Sequence, residues 1–403
     1  MQKKKKLMLL GGLRYLIPVI EAAHRLGIYV ITCDYLPDNI AHRYSDAYCN
    51  VSILDKEAVL EKARRLQIDG IMSFAVDPGV VTAAYVAEQL GLPQSGPYES
   101  VCILQNKDRF REFLARNGFN VPKAAGFSSV EKALSGVDGF EWPLIVKPVD
   151  SAGSKGVRKV ERYEDLEDAV KYAFQFSHSD RIIVEEFIDK QGCSSDSDCF
   201  SVNGKLKFVS FSAQQFDTNA SNPYTPAAYS WPSTMTEKQE SELTSEIQRL
   251  LSLLQMQTTV YNIETRIGVN GKAYIMEVSP RGGGNRLSEM LRWATGVDLI
   301  TNAVRAAVGD EVFGIEQKEY DGHWAEIILH ADVDGVFQGL EYKDDFKQKY
   351  VVQEDLWVAA GDSVSAFRGA NDAIGTSVLK FETEDTLLKV LSDLDSWLKI
   401  NIL

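Results

Sequence analysis

Residues 261–281, YNIETRIGVNGKAYIMEVSPR, carry the strongest structural signal in the sequence. Two strand-like runs meet at Asn270-Gly271, a dipeptide typical of a tight two-residue hairpin turn. That turn predicts a register in which Glu264 lies directly opposite Glu277. Because side chains alternate along a strand, both glutamates share one face of the hairpin. The stretch therefore predicts paired carboxylates on one face and apolar side chains on the other.

The same alternation assigns the neighbouring side chains. Asn262 and Ser279 are expected opposite each other on the glutamate face. The apolar face is expected to hold Ile263, Ile267, Tyr274, Met276 and Val278. Like charges that face each other across a sheet repel, so the pair needs a raised pKa or a cation between the carboxylates. Two hard oxygen ligands with room for water and phosphate suit Mg2+. The alternative is an exposed hairpin whose glutamates face solvent.

Positive charge and glycine follow the hairpin in residues 279–286, SPRGGGNR. Arg281 comes two strand positions after Ser279, so its guanidinium is expected on the carboxylate face, where it can hold a transferring phosphoryl group. The three glycines let main-chain N–H groups approach an anion before a helix expected to begin near Leu287. The alternative is an ordinary flexible connection.

A second segment, residues 143–157 (PLIVKPVDSAGSKGV), reads as strand, small-residue loop, strand. Lys147 ends the apolar run and can reach phosphate oxygens, while the loop can fold main-chain donors over them. The order lacks the Gly-Lys-Ser/Thr of a Walker A loop, and a strand rather than a helix is expected to follow. Taken alone, the segment is equally consistent with a plain surface hairpin.

A third segment, residues 181–189 (RIIVEEFID), is an apolar strand that runs into two acids and an aromatic residue. Glu185 can accept a hydrogen bond from an adenine amino group, and the main chain near Phe187 and Ile188 can read the ring edge. As an isolated motif it is weak, because many buried strands end in this way.

The order of these segments resembles the ATP-grasp superfamily, whose members hold ATP between two α+β subdomains and use it to activate a carboxylate. The resemblance covers nearly the whole chain and is to the carboxylate-amine ligase type, including L-amino-acid ligases, carbamoyl-phosphate synthetase and biotin carboxylase-like enzymes. It implies a mixed α/β and α+β fold and two cofactors, ATP and Mg2+, with Mn2+ as the alternative ion. It also implies formation of a C–N bond between a small carboxylic acid or amino acid and an amine, through an acyl phosphate, with release of ADP and phosphate.

The resemblance implies a role for each matching residue. The nucleotide would be bound by Lys107, Lys147, Ser151, Gly153, Ser154, Lys155, Gly156, Glu185, Glu186, Phe187, Ile188 and Met276. The metal would be bound by Glu264, Glu277 and Ser279. The catalytic pair would be Arg281 and Lys147, and the substrate would contact Asp77, Arg281, Gly282, Gly283 and Gly284. Two positions depart from the family pattern: Ser279 replaces the signature Asn, and Asp196 is the substitute for an acid that often binds ribose.

Three domains are expected. Strands and helices alternate from Leu7 to about Pro93, which predicts a parallel, Rossmann-like sheet in a domain of residues 1–105. Residues 106–310 are assigned to the ATP-grasp domain, with a lid subdomain at about 120–190, and residues 311–403 to a small C-terminal α+β domain. Asp77 lies at a strand-to-helix turn, where it either contacts substrate or caps the helix.

Local patterns add three further expectations. Thr234 and Glu237 have capping-box spacing and predict the start of a helix that runs to about Leu254. A last helix is expected from Glu384 to about Ile400. Residues 217–233 form a long polar and aromatic stretch that either lies near the acceptor substrate or is a structural connection.

Composition limits the class of protein. The chain has 403 residues, a net charge of −14 and five cysteines without paired metal spacing. The acidic charge argues against nucleic-acid binding, and no stretch is long and apolar enough to span a membrane. We expect a cytoplasmic enzyme, with a homodimer as one possible assembly. The first alternative is a non-catalytic, ATP-binding regulatory protein. The second is an NAD-dependent oxidoreductase, suggested by Gly11-Gly12 and Asp34 although the chain lacks Gly-x-Gly-x-x-Gly.

Overall fold

The computed structural model describes residues 4–151, 153, 155–220 and 222–403. The first of its sheets is parallel. The first elements are β1 (Lys6–Leu10), α1 (Ile17–Arg25), β2 (Tyr29–Asp34), β3 (Ala47–Asn50), α2 (Lys56–Leu66), β4 (Gly70–Ser73) and α3 (Pro78–Leu90). The strand order is β3-β2-β1-β4, and apolar side chains such as Leu9 and Val30 are fully buried between the sheet and its helices. The expected Rossmann-like sheet is confirmed.

A second, antiparallel sheet follows two linking helices. Its region comprises α4 (Tyr98–Gln105), α5 (Lys107–Arg116), β5 (Ala124–Phe127), α6 (Val130–Ser135), β6 (Leu144–Pro148), β7 (Arg158–Val160), α7 (Leu166–Phe174) and β8 (Ile182–Glu186). The strand order is β5-β8-β6-β7. Val146 and Val184 pack on one face in the core formed with α6 and α7. Because side chains alternate, Lys147 and Glu185 lie on the opposite face.

The third sheet lies at the centre of the chain. The elements of this region are β9 (Ser195–Val202), β10 (Lys205–Phe208), β11 (Ala213–Phe216), β12 (Pro226–Trp231), α8 (Glu237–Leu253), β13 (Thr259–Ile267), β14 (Ala273–Ser279), α9 (Leu287–Thr295) and α10 (Leu299–Ala307). The sheet has the order β10-β9-β13-β14. Its apolar face packs on α8 through residues such as Ile263 and Ile247, so its other face is left for polar groups.

The remaining elements build the C-terminal region. They are β15 (His323–Leu329), β16 (Gly335–Tyr342), α11 (Phe346–Tyr350), β17 (Val351–Leu356), β18 (Ser363–Val364), β19 (Gly375–Phe381), α12 (Glu384–Leu391) and β20 (Leu398–Ile402). One sheet has the order β11-β12-β15-β19-β17, and a smaller one the order β18-β16-β20. The larger sheet joins strands from both sides of residue 310, and the domain boundary expected there stays a prediction.

The helix α8 begins with a different capping box from the one expected. Its N-cap is Thr236, whose side chain accepts from the Gln239 N–H while the Gln239 side chain accepts from the Thr236 N–H. The prediction of Thr234 and Glu237 was wrong by two residues. Both pairs have the same spacing, but Glu237 is already the first helical residue and cannot act as the third.

Two other local expectations needed correction. The last helix ends at Leu391 rather than near Ile400, and residues 398–402 form β20, which pairs with β16. The alternating apolar residues Leu398 and Ile400 pack in the C-terminal core as strand residues do. Residues 217–233 are not one continuous loop, because Pro226–Trp231 forms strand β12.

Candidate active site

Carboxylates cross three strands of the central sheet. Asp196 of β9 lies opposite Glu264 of β13, which in turn lies opposite Glu277 of β14. We call these three residues the carboxylate row. A neighbouring row consists of Asp198, Asn262 and Ser279. The arrangement extends the predicted glutamate pair by two aspartates from a third strand.

The hairpin that carries Glu264 and Glu277 has the predicted pairing but a different turn. Gly268 donates its N–H to the Lys272 carbonyl at 2.9 Å, which leaves three residues in the loop, and Gly271 adopts a φ of +74°. A loop of three residues would by itself shift Glu264 out of register. A bulge immediately after Glu264 restores the pairing.

The bulge also changes the predicted faces. Thr265 pairs with Ile275, so Met276 is the extra residue. Ala273 and Ile275 pack in the apolar cluster in place of Tyr274 and Met276, which were assigned to that face. The sequence could not show this. The longer loop shifts the pairing by one residue and the bulge shifts it back, so the predicted and observed registers agree at the glutamates and differ only between the bulge and the loop.

Burial raises the pKa values of three acids in these rows, Asp196, Asp198 and Glu264. Burial, with the nearby charge of Glu264, raises the pKa of Asp196 to about 7. Burial raises the pKa of Asp198 to about 6 and also raises the pKa of Glu264. The ionised forms are costly without a compensating cation, so the donor set fits a hard divalent ion.

Ser279, the third predicted metal ligand, already has other partners. Its hydroxyl donates to Asp77 Oδ1 at 2.8 Å and accepts from Gln105 Nε2 at 2.9 Å. Asp196, the predicted ribose ligand, lies in the carboxylate row, and Asn262 donates to its Oδ1 at 2.7 Å. Sequence reasoning missed Asp198, although the alternation in residues 195–198, SDSD, was the signal that places both aspartates on one face.

Within the described residues, the one compact group of three metal-type ligands lies elsewhere. Asp217, His330 and Asp332 bring their ligand atoms within 4.8 Å of one another. The carboxylate row therefore supplies only part of a coordination sphere. That is the usual condition of Mg2+ sites, which complete their shell with phosphate oxygens and water.

Lys107 links the small-residue loop to the carboxylate row. It is the first residue of α5, where Asn106 caps the helix. Its Nζ donates to the Ser151 carbonyl at 3.0 Å and lies 3.4 Å from Glu277 Oε2. The structure thus brings together two predicted nucleotide residues and one predicted metal ligand.

Lys147 and Glu185 form a buried ion pair that also includes Arg111. Arg111 Nε donates to Glu185 Oε2 at 2.9 Å, and Lys147 pairs with Oε1. Burial opposes ionisation of Glu185, but the two cations outweigh it and hold its pKa at about 2. Burial lowers the pKa of Lys147. Sequence reasoning missed Arg111, since nothing in the pattern of α5 shows which of its basic residues is buried.

The predicted adenine acceptor is therefore engaged elsewhere. The Glu185 side chain is 3% exposed, and both of its oxygens have cationic partners. The next residues keep main-chain contacts of their own: Glu186 donates its N–H to Lys123 and Phe187 donates its N–H to Pro143. The ring of Phe187 lies 4.5 Å from Lys159 Nζ, and Met276 offers its carbonyl to Arg111 at 2.8 Å. The Ile188 carbonyl likewise accepts from Arg266 at 3.1 Å.

The small-residue loop joins β6 to β7, the expected following strand. Gly153 and Gly156 have φ values of +66° and +73°, a region that L-residues rarely adopt. The predicted Ser154 lies outside the described residues, whereas Ser151 and Lys155 lie within them. The positive φ values of Gly153 and Gly156 therefore give this loop a backbone conformation that other residues rarely adopt.

Arg281 is bound to Asp77. Its Nη2 lies 2.7 Å from Asp77 Oδ2 and its Nε 2.9 Å from Oδ1. Burial opposes ionisation of Asp77, but the guanidinium outweighs it and lowers the pKa of that carboxyl. Asp77 occupies the N-cap position of α3, as the capping interpretation predicted, but its side chain makes no capping hydrogen bond to the helix. The two predicted substrate residues contact each other.

The glycines after Arg281 allow close packing. A Cβ on Gly282 would lie 2.2 Å from the Phe74 ring, and one on Gly283 would lie 2.9 Å from Asp198 Oδ1. Gly283 donates its N–H to Asp198 at 2.8 Å, so that donor already has an internal anion. Gly284 has more room, with Tyr15 atoms at 3.8 Å. Helix α9 begins at Leu287, as predicted.

The NAD alternative finds no support in the first sheet. Asp34 accepts from the Tyr35 N–H and from Asn39 Nδ2, both at 2.6 Å, and so organises its own loop. A Cβ on Gly12 would lie 2.5 Å from Asn39. The glycine therefore allows close packing at the end of β1.

Among the described helices, none combines the length and apolar character needed to cross a lipid bilayer.

Comparison with known proteins finds related sequences. Residues 140–289 match the ATP-grasp domain, and residues 20–94 match the ATP-grasp N-terminal domain. A formate-dependent phosphoribosylglycinamide formyltransferase of Synechococcus sp. (strain WH7803) is 31% identical over 186 residues, 45% of this chain and 48% of that protein. A carbamoyl phosphate synthase large chain of Thermotoga petrophila is 24% identical over 257 residues, 64% of this chain and 23% of that protein. The chain thus spans about half the length, or less, of these curated relatives.

Solved structures show the same fold over the full chain. An L-amino acid ligase from Bacillus licheniformis superimposes with a TM-score of 0.82 at 22% identity, covering 100% of both chains. A phosphoribosylglycinamide synthetase from Anaerococcus prevotii gives a TM-score of 0.76 at 20% identity, again over 100% of both chains. Since the two matched regions of the sequence are domains of one family and together cover more than half of the chain, the chain belongs to the ATP-grasp family.

Proposed function

We propose that this protein is an ATP-dependent carboxylate-amine ligase that acts through an acyl phosphate, with an amino acid or small carboxylic acid as substrate. The observation that carries the proposal is the position of Lys107. Its Nζ donates to the Ser151 carbonyl and lies 3.4 Å from Glu277 Oε2. One ammonium group therefore contacts both the loop proposed to bind phosphate and a carboxylate proposed to bind the metal.

Glu264 and Glu277 are the residues that would hold Mg2+, or Mn2+, whose preference for oxygen ligands is similar. The half-buried, mutually repelling acids of the carboxylate row are the feature that fits a cation. When bound, the ion would neutralise charge on the transferring phosphoryl group. Asp196 adds negative charge directly beside Glu264.

The protein's own part in the reaction is positioning and charge neutralisation. A substrate carboxylate oxygen would attack the γ-phosphorus while the bond to the ADP oxygen breaks. An amine would then attack the acyl carbon and displace phosphate. Lys107 and Lys147 would hold the phosphates, and Arg281, oriented by Asp77, would offset the developing phosphoryl charge.

The substrate class is supported by the relatives. The B. licheniformis structure is an L-amino acid ligase and the Synechococcus relative is a formate-dependent formyltransferase, both of which are named for small carboxylic acids. A homodimer is a further proposal, and one similar structure is described as a biotin carboxylase domain dimer. Sedimentation of the purified protein checks the assembly.

The test is release of ADP and phosphate by the purified protein with ATP and Mg2+, across amino acids and small carboxylic acids, alone and in pairs. We expect release with a specific acid and amine, and its loss in Glu277→Gln. Glu61→Gln, an exposed glutamate on α2, is the matched control and should keep full release. Tight ATP binding without release for any pair would contradict the proposal and favour a non-catalytic nucleotide-binding protein.

A further inference from the structure

Glu326 is a buried carboxylate without a hydrogen-bond partner. It lies in the middle of β15 and is 0% exposed. Neither of its two oxygens has a partner among the described residues. A carboxyl group that is buried without any hydrogen-bond partner is strongly disfavoured, so such groups usually serve a ligand or a site.

On one side of Glu326, across β12 and β11, the neighbouring side chains of the sheet are polar, whereas Val378 of β19 lies opposite it on the other side. Gln214 of β11 lies opposite Tyr229 of β12, and Tyr229 lies opposite Glu326. Residues opposite each other share a face of the sheet. Gln214 is also buried, and its Oε1 has no partner. Two strands thus present three unused oxygen acceptors to the same side.

A cation with an unpaired donor nitrogen lies in the glycine-rich segment, next to a helix that contacts β15. Arg286, which precedes α9, binds Glu289 through Nε and Nη2 at 3.3 and 3.2 Å. Its buried Nη1 has no hydrogen-bond partner. Burial raises the pKa of Glu326, and the positive charge of Arg286 is the largest effect that opposes this rise, yet no hydrogen bond joins the two described side chains. Glu326 therefore lacks hydrogen-bond donors and Arg286 lacks one acceptor, on elements of the fold that are in contact.

This polar group adjoins the carboxylate row. Tyr229 Oη donates to Asp196 Oδ2 at 3.3 Å. On another side Tyr15 Oη donates to Asn285 Oδ1 at 2.9 Å, and the Tyr15 ring meets the Trp357 ring at 5.8 Å between centroids. Tyr15, Asn285 and Trp357 are half-buried. They come from the segment between β1 and α1, the glycine-rich segment and the C-terminal region, so a molecule bound beside them would contact three parts of the chain.

We propose that Glu326 and Gln214 bind the ammonium group, and Arg286 the carboxylate group, of a zwitterionic amino acid. An ammonium has three donors and no acceptor, which suits the unpaired oxygens, and a guanidinium suits a carboxylate. The inference rests on the proposed ligase function and names an amino acid as one of its two substrates. A neutral carboxylic acid without an amino group would leave Glu326 and Gln214 unpaired.

The first experiment compares the wild type with Glu326→Gln. For the amino acid of the panel that gives the most ADP release, we expect KM to rise about 10- to 100-fold, as for loss of a charge-assisted hydrogen bond. KM for ATP should stay unchanged. The same acid without its amino group, for example propionate against alanine, should bind equally to both proteins. An unchanged KM for the amino acid, or equal loss for both ligands, would overturn the inference.

Two additions keep the result decisive. Gln214→Met removes the second unpaired acceptor and nearly keeps the side-chain volume. It provides the test if Glu326→Gln does not fold, and its KM for the amino acid should rise about threefold or more.

Equilibrium binding of individual L-amino acids, measured by calorimetry without ATP, separates the two proposals. If no pair gives ADP release but an amino acid binds the wild type and not Glu326→Gln, the site stands and the ligase proposal fails. If release occurs only with acids that lack an amino group, the ligase proposal stands and this site fails.

Discussion

Asp77 and Arg281, 204 residues apart in the sequence, form a two-point ion pair with nitrogen-to-oxygen distances of 2.7 and 2.9 Å. Asp77 lies between β4 and α3, whereas Arg281 follows β14. The ion pair therefore connects the end of the parallel sheet to the end of the hairpin that carries Glu264 and Glu277. Two fork contacts fix the plane of the guanidinium as well as its position.

Asp77→Asn should free that guanidinium. We expect kcat for ADP release to fall at least tenfold with little change in KM for ATP, because Asp77 positions Arg281 rather than the nucleotide. Stability should fall by about 3 kcal/mol, as when one partner of a buried pair is removed. Steady-state kinetics and urea unfolding measure both. Asp38→Asn, at an exposed site, is the control. An unchanged kcat in Asp77→Asn would show that the orientation of Arg281 is irrelevant to turnover.

Glu185 should contribute stability that depends on pH. Its pKa is held at about 2, below its ordinary value of 4.5, by Arg111 and Lys147 against the cost of burial. The contribution is complete above about pH 4.5 and is lost as the pH falls towards about 2. Glu185→Gln, which leaves two buried cations unpaired, should be destabilised by about 3–5 kcal/mol near neutral pH.

The measurement is the difference in urea midpoint between wild type and Glu185→Gln at several pH values from neutral to acid. The difference should shrink as the pH falls below about 4.5. A difference that stays constant through that range would mean that the pKa of Glu185 is not lowered. ATP affinity should also fall, because Lys147 loses its anchor.

Asp196 should behave in the opposite way. Its pKa is raised from 3.8 to about 7 by burial and by Glu264. The folded protein then holds more protons than the unfolded chain between these values, so this group lowers stability as the pH rises through the window. Asp196→Asn should raise the melting temperature of the metal-free protein at about pH 8 and have no effect below about pH 4.

Metal binding should offset the loss of stability that ionised Asp196 causes. Mg2+ with a non-hydrolysed ATP analogue should raise the melting temperature of the wild type more at about pH 8 than at about pH 6, since the ion competes with protons for the carboxylate row. Asp196→Asn should show a smaller dependence on pH. Equal stabilisation at both pH values in both proteins would exclude Asp196 from the metal's environment.

The sequence was informative where its signal was local. The alternation around Glu264 and Glu277, and the turn residues between them, predicted the pairing that the structure contains. The route differed, because a three-residue loop and a bulge offset each other. A bulge depends on how the strand packs against its neighbours, here with Met276 offering its carbonyl to Arg111, and no residue pattern within the hairpin shows it.

Contacts between distant segments could not be predicted. The sequence pattern makes Glu185 a strand-end acid, but only the fold shows that Arg111 and Lys147 occupy its oxygens. Likewise, Glu326 is one polar residue in an apolar strand, and its importance depends on strands β11 and β12 beside it. Residues whose roles depend on long-range neighbours require the structure.

Gly282 tests how tightly the glycine-rich segment packs against the first sheet. A Cβ at this position would lie 2.2 Å from the Phe74 ring. Gly282→Ala should therefore lower the free energy of unfolding by about 1–3 kcal/mol, as overpacking does. Gly284→Ala is the matched control in the same segment, because its Cβ would meet only Tyr15 at 3.8 Å.

A smaller residue at position 74 should relieve the clash. Phe74→Leu alone should destabilise the protein by leaving a cavity, yet the double variant with Gly282→Ala should be more stable than the sum of the single effects predicts. Urea unfolding of the four proteins in this cycle measures the coupling directly. If Gly282→Ala is as stable as Gly284→Ala, or if the two effects simply add, then Phe74 and Gly282 are not in contact. In that case the glycine at position 282 must be explained by its backbone alone.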